Sequence, residues 1–160
     1  MKTNILKIIS GGQTGADLAG LQAAKNLNIR TGGCAPKGFL TENGSNYELG
    51  TKYNLYQSSS DKYPERTKEN VSKSDATVIF SMGVSERGSL LTKKACVQKG
   101  KPFLWVSPNE EDAVEKVRSF LASIIQIKQR PVIINIAGNR ESKYPGIGKN
   151  VKTILINVLS

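Results

Sequence analysis

"IISGGQTGADLAG" occupies residues 8–20, and its reading decides the fold. Ile5 to Ser10 is an apolar run broken only by Lys7, which reads as a buried strand. Two glycines follow at once. From about Gly15 to Leu27 the spacing becomes helical, with Leu18, Leu21, Ala24 and Leu27 near one face. Thr14 and Asp17 form a Thr-x-x-Asp pair suited to capping the helix start. The glycine turn between strand and helix is either a tight connection or a cradle for an anion.

The same alternation runs through most of the chain. Pro64 opens a helix to about Ser72, and Ala76 to Ser81 is the next buried strand. Gly88 to Gln98 reads as a helix ended by Gly100, and Phe103 to Val106 as a strand. Ser107-Pro108-Asn109-Glu110 has the form of a capping box, and the helix after it carries Val114, Val117, Leu121 and Ile124. Val132 to Ile136 is the last strand. Ile147, Val151, Ile154, Leu155 and Val158 make the stripe of the final helix. Between Arg30 and Lys52 the pattern is lost, which predicts a long loop, and Tyr53 to Gln57 reads as a short strand.

Apolar strands alternating with amphipathic helices predict an α/β fold. It would be a single three-layer domain over residues 1–160, its sheet mainly parallel with helices on both faces. In such folds ligands bind beyond the carboxyl ends of the strands.

Composition narrows the chemistry. The chain of 160 residues has no histidine, so a histidine-based triad and a histidine metal site are excluded. Cys34 and Cys96 stand far apart in no metal or redox spacing and are expected as reduced core thiols. No apolar run approaches the roughly 18 residues of a membrane span, and no leader is read at Met1-Lys2-Thr3-Asn4, so a cytoplasmic protein is expected. The net charge of +10 favours an anionic partner. The lysines are scattered and aromatics are only 6%, which favours a phosphorylated small molecule over nucleic acid.

Three glycine-containing loops follow predicted strands: Gly11-Gly12-Gln13-Thr14-Gly15, the run from Met82 to Ser89, and Ala137-Gly138-Asn139-Arg140-Glu141-Ser142. Glycine turns that open helices present N–H groups and a positive dipole end to anions. The first loop is neither a Walker loop nor a dinucleotide fingerprint. Arg140 supplies a guanidinium able to clamp phosphate. Tyr63, Arg66 and Asn70 fall at helical spacings of three and four, on one face. Lys37, in Pro36-Lys37-Gly38, could reach over the site or sit in an ordinary surface turn.

The motifs "GGQTGAD", "PKG", "YPERTKENVSKSDATVI", "GSLLT" and "NIAGNRESKYPGI", in this order, resemble the molybdenum cofactor carrier family. That family is a circularly permuted branch of the SLOG superfamily of Rossmann-like domains, related to the LOG-type phosphoribohydrolases. The resemblance implies a Rossmann-like fold whose glycine loops bind nucleotides or their derivatives. By matching motifs it implies a pocket lined by Gly11, Gly12, Gln13, Thr14, Gly15, Asp17, Arg66, Asn70, Gly88, Ser89, Thr92, Asn139, Arg140 and Ser142. It also implies a homo-oligomer, a dimer or larger.

One departure bears on chemistry. The hydrolases carry Pro-Gly-Gly-x-Gly-Thr-x-x-Glu, with a catalytic glutamate, and the matching stretch here is Gly88-Ser89-Leu90-Leu91-Thr92. Threonine cannot act as a carboxylate base. The expectation is a binding protein with no catalytic residue, no metal site and no required cofactor. It would take a phosphorylated nucleotide-derived or pterin-like molecule, a molybdenum cofactor included, as carrier or as sequestering protein for a signal such as a nucleotide immune messenger. The alternatives are a phosphoribohydrolase that cleaves the N-glycosidic bond of a nucleoside monophosphate, with Glu86 or Glu141 as a relocated acid, and a nucleic-acid-binding module.

Overall fold

The computed structural model describes residues 1–83 and 86–160. Along the chain run β1 (Ile5–Ile9), α1 (Ala16–Asn26), β2 (Thr31–Gly32), β3 (Cys34–Ala35), β4 (Leu40–Thr41), β5 (Gly44–Ser45), α2 (Glu48–Thr51) and β6 (Tyr56–Gln57). They are followed by α3 (Tyr63–Lys73), β7 (Ala76–Phe80), α4 (Arg87–Lys99), β8 (Phe103–Val106), α5 (Ala113–Lys128), β9 (Val132–Gly138) and α6 (Ile147–Leu159).

A five-stranded sheet in the order β2-β1-β9-β7-β8 forms the centre, with every pairing parallel. The last strand in sequence is thus the middle strand in space. From β1 the chain winds outward through α1 to β2, and from β7 outward the other way through α4 to β8. Right-handed crossovers then put α1 and α4 on opposite faces. α6 packs on α1 and α5, and α3 on α4, which completes a Rossmann-like three-layer arrangement. The main core joins Ile8, Val78, Ile134 and Ile136 from the sheet to Val117, Leu121, Val151 and Leu155 from the helices. Each such side chain contributes about 1.5–3 kcal/mol on full burial. Gly20 lets α1 approach the sheet closely, since a Cβ there would stand 2.8 Å from Ile136 Cβ.

The stretch from Arg30 to Lys52 is not the patternless loop its composition predicts. It builds most of a small lobe with β4 and β5 as an antiparallel hairpin, α2, and β3 paired in parallel with β6. The lobe has its own core of Leu21, Ala35, Leu49, Tyr53 and Leu55. Of the predicted strand Tyr53–Gln57, only Tyr56 and Gln57 are in a strand, because Tyr53 and Leu55 turn inward as that core. Two helix starts also differ from expectation. α1 is preceded by Gly15 at φ 83° with no side-chain cap, because Thr14 bonds elsewhere. Glu110 does accept from the Ser107 N–H at 3.1 Å, but Ser107 Oγ accepts from Asn109, and α5 begins only at Ala113. Cys34 and Cys96 are free and buried. No helix of the described residues is long and apolar enough to cross a membrane.

Candidate ligand-binding site

The neighbouring order β1-β9-β7 sets the loops after these three strands side by side at the carboxyl edge of the sheet. A cleft of roughly 630 Å³ opens there, a size that suits a small ligand. Its walls take Gln13 and Asp17 from the first loop and α1, and Tyr63, Pro64, Arg66 and Thr67 from α3. Glu86, Arg87, Gly88, Leu91, Thr92 and Lys94 come from the start and first turns of α4, and Arg140 and Lys143 from the loop after β9. Five cationic side chains thus face two carboxylates.

Arg66 organises the deep wall. Its Nη1 lies 3.3 Å from Asp17 Oδ2, which also accepts from the Gln13 N–H at 3.2 Å. Burial pushes the Asp17 carboxyl above the usual carboxylate range, against the opposing pull of Arg66, the Gln13 N–H and Arg140. Gly11 makes room for the guanidinium, since a Cβ there would stand 1.9 Å from Arg66 Nη1. The Arg66 and Arg140 guanidinium carbons lie 5.4 Å and 4.5 Å from the Tyr63 ring centroid. Both guanidiniums thus lie within cation–π distance of one ring. Arg66 Nε and Gln13 Oε1 are buried with no hydrogen-bond partner among the described residues. The Gln13 amide is oriented by its Nε2, which donates to the Leu40 carbonyl at 2.9 Å and the Gly11 carbonyl at 3.4 Å.

The N–H groups expected to be open to an anion are engaged by the protein's own carboxylates. Glu86 caps α4, accepting from Gly88 N at 3.1 Å and Ser89 N at 2.6 Å. Burial opposes its ionisation, yet these donors hold the carboxyl below the usual range. Glu141 accepts from the N–H groups of Gly146 and Gly148, before and within the first turn of α6. Glu42, in the β4–β5 hairpin, takes the hydroxyls of Ser142 and Thr14, which together keep it below the ordinary carboxylate range.

The predicted site residues therefore divide. Gln13, Asp17, Arg66, Gly88, Thr92 and Arg140 line the cleft, with Gly11 just behind Arg66. Gly12, at φ 73°, faces the small lobe, where a Cβ would stand 2.6 Å from Leu49 Cδ1. Gly15 closes on the backbone after β9, 2.3 Å from Asn139 O for a Cβ. Asn70 is spent on the backbone of β3, accepting from Cys34 N at 2.7 Å and donating to Cys34 O at 2.9 Å. Asn139 accepts from Met82 N at 2.7 Å and so ties the loops after β7 and β9 together. Thr14 and Ser142 hold Glu42. Ser89 is buried beneath the α4 start, and Lys37 lies exposed in the small lobe. Lys143, Lys94 and Glu42 were missed from sequence. Lys143 sits three residues after Arg140 in the same loop, a signal that was available, whereas Glu42 left none.

Three comparisons bear on this geometry. The model of the circularly permutated YpsA SLOG family matches residues 8–159. A crystal structure from Syntrophus aciditrophicus SB, of a protein named "Putative molybdenum carrier protein", is similar to this chain at 36% identity and a TM-score of 0.85. The match covers 98% of this chain and 95% of that one. A search of the curated proteins gives no match.

Proposed function

The chain belongs to the circularly permutated YpsA SLOG family, and from that premise we propose that it captures a phosphorylated small molecule without cleaving it. The molecule is nucleotide-derived or pterin-like, and the protein acts as its carrier or sequestering agent. The name of the similar Syntrophus aciditrophicus protein supports a carrier role, with a molybdenum cofactor as one candidate cargo.

The observation that carries this reading is the pair Arg66 and Arg140 set about Tyr63 in one cleft. Guanidiniums suit a phosphate and the ring suits a planar heterocycle. Thr92, where the related hydrolases carry glutamate, turns its hydroxyl to the Gly88 carbonyl at 3.2 Å. Glu86 is the carboxylate nearest that helix turn in sequence, and it is committed to two N–H donors with its proton affinity lowered. That suits a cap and not a general acid, which needs a raised pKa. Among the described residues no group of three or more His, Cys, Asp or Glu is placed to hold a metal ion. A molybdenum cofactor would therefore be gripped through its phosphate and pterin, by Arg66, Arg140 and Tyr63.

Mass spectrometry of small molecules released by heat from the purified protein tests the proposal. A phosphorylated heterocycle is the expected result. Enzymatic release of free base from nucleoside monophosphates would replace binding by hydrolysis.

A further inference from the structure

We propose that the carboxylate of Glu86 holds the place of a ligand phosphate at the start of α4, and that a phosphorylated ligand binds by displacing it. The inference rests on reading the cleft as a site for a phosphorylated molecule.

α4 runs for 13 residues, and its first free N–H groups, on Gly88 and Ser89, both point to the Glu86 carboxylate. Glu86 and Gly88 line the cleft. Ser89 is 1% exposed, and its hydroxyl approaches the same carboxylate closely enough to help lower its proton affinity but completes no well-aligned hydrogen bond among the described residues. An unpaired buried hydroxyl is costly. Three donors thus converge on one place, and the resident carboxylate makes well-aligned bonds to only two of them.

A phosphate monoester changes that balance. It offers three acceptor oxygens, enough for both N–H groups and the Ser89 hydroxyl, and more negative charge at the positive end of the helix dipole. Lys143 lies close enough to lower the Glu86 proton affinity, and Arg140 lines the same cleft, so cations surround the spot. A carboxylate and a phosphate cannot share these donors without strong repulsion. Glu86 is therefore a built-in competitor. It keeps the helix start satisfied when no ligand is bound, and it sets a threshold that weak carboxylate ligands do not pass.

Calorimetric titration of inorganic phosphate into the parent, Glu86→Gln and Ser89→Ala decides the matter. The Gln amide has one acceptor oxygen where the carboxylate uses two, so Glu86→Gln keeps one of the two cap bonds while losing the charge. Phosphate is expected to bind roughly ten-fold more tightly to Glu86→Gln and roughly ten-fold more weakly to Ser89→Ala. Equal or weaker binding in a folded Glu86→Gln, or unchanged binding in Ser89→Ala, overturns the inference. Should Glu86→Gln not fold, Glu86→Asn, a side chain well suited to a helix start, takes its place with the same expectation. If neither the parent nor either variant binds phosphate, the inference falls. A phosphorylated molecule released from the purified protein would then leave the proposed function standing, and its absence would remove both.

Discussion

Arg66 Nη1 lies 3.3 Å from Asp17 Oδ2, and both side chains are largely out of water, at 14% and 4% exposure. The pair joins α3 to α1 across the cleft floor and fixes a guanidinium where a ligand anion can reach it. Arg66→Ala removes the partner of a buried carboxylate, which costs about 3–5 kcal/mol of stability. Arg140 has its cation–π approach to the Tyr63 ring at 4.5 Å and, among the described residues, no side-chain hydrogen bond or ion pair. Arg140→Ala is expected to keep the parent melting temperature while weakening ligand binding by about 1.5–3 kcal/mol. Melting curves and titrations of the two variants check the contrast. Equal melts would deny the structural role of Arg66.

Asp17 adds a pH signature. Its pKa in the folded chain is raised above 3.8, chiefly by burial, so the folded state holds the proton more tightly than the unfolded one. Its own contribution to stability is then fully present below 3.8 and is lost as pH rises through the folded pKa. Removing Arg66 removes the largest opposing pull, so the fall should steepen in Arg66→Ala. Asp17→Asn in the same background should flatten it. Melting temperature against pH from acid to neutral reads both.

Gly11 and Gly12 are neighbours with opposite expected roles. A side chain at Gly12 meets Leu49 at 2.6 Å and must also hold φ 73°. Gly12→Val should therefore lower the melting point through overpacking of about 1–3 kcal/mol and left-handed strain of about 1–2 kcal/mol. At Gly11 the obstacle is the far end of Arg66, which can move. Gly11→Ala should displace that guanidinium, weakening ligand binding and, by loosening the Arg66–Asp17 pair, lowering the melt as well, whereas Gly12→Val should leave binding intact in the folded fraction. The reverse pattern would show that Gly12 lines the site.

The contrast between these two glycines shows where sequence reading stops. The strand-glycine-helix pattern at residues 8–20 and the apolar runs at Ala76 and Val132 were plain, because a buried parallel strand leaves a local hydrophobic signature. What those strands do with one another was not plain. β9 lies between β1 and β7, and no local pattern records which strand is central. The small lobe was invisible for a similar reason. Its strands are two residues long, and β3 finds its partner β6 some twenty residues later. Asn70 shares a helix face with Arg66, yet the end of α3 leans on β3, so the amide serves the Cys34 backbone and not the cleft. Glu42 meets Ser142 across a sequence separation of 100, and such a pairing leaves no trace in either segment.

Asp75 provides a stability test away from the cleft. Its carboxylate accepts from both terminal nitrogens of Arg130, at 3.1 and 2.7 Å, and from Ile133 N at 2.8 Å, tying the start of β7 to the start of β9. Burial opposes ionisation, but Arg130 and the Ile133 N–H leave the carboxyl below its usual 3.8. Its contribution is present above 3.8 and is lost as pH falls through the lower folded pKa. Arg130 is half exposed, so the ion pair adds little and the Ile133 bond carries most of the effect. Asp75→Ala should cost about 1–3 kcal/mol at neutral pH and less in acid. A loss that did not shrink in acid would sink this assignment.

Thr92→Glu addresses binding against cleavage. Thr92 is 6% exposed and lines the cleft from the first turns of α4, with its hydroxyl bonded back to the Gly88 carbonyl. A glutamate there must reach into the cleft, because the interior behind it offers no room for a charge without a partner. Once in the cleft its carboxylate lies one helical turn beyond Ser89, close to any phosphate held at the helix start. Repulsion should weaken phosphate binding about ten-fold, while the loss of the Thr92 hydroxyl bond lowers the melting point by only a few degrees. The parent should release no base from adenosine monophosphate. The variant should release none either, since weakened phosphate binding leaves the new carboxylate no positioned substrate. Chromatography of the incubated nucleotide, read beside the melting curve, separates three cases. Lost affinity with an intact melt places Thr92 at the ligand. A collapsed melt with full affinity in the surviving folded fraction places it in the core. Free base from the variant alone would mean that the cleft retains a glycosidase geometry one carboxylate short of turnover, which leaves capture standing for the parent, whereas free base from the parent itself would overturn it.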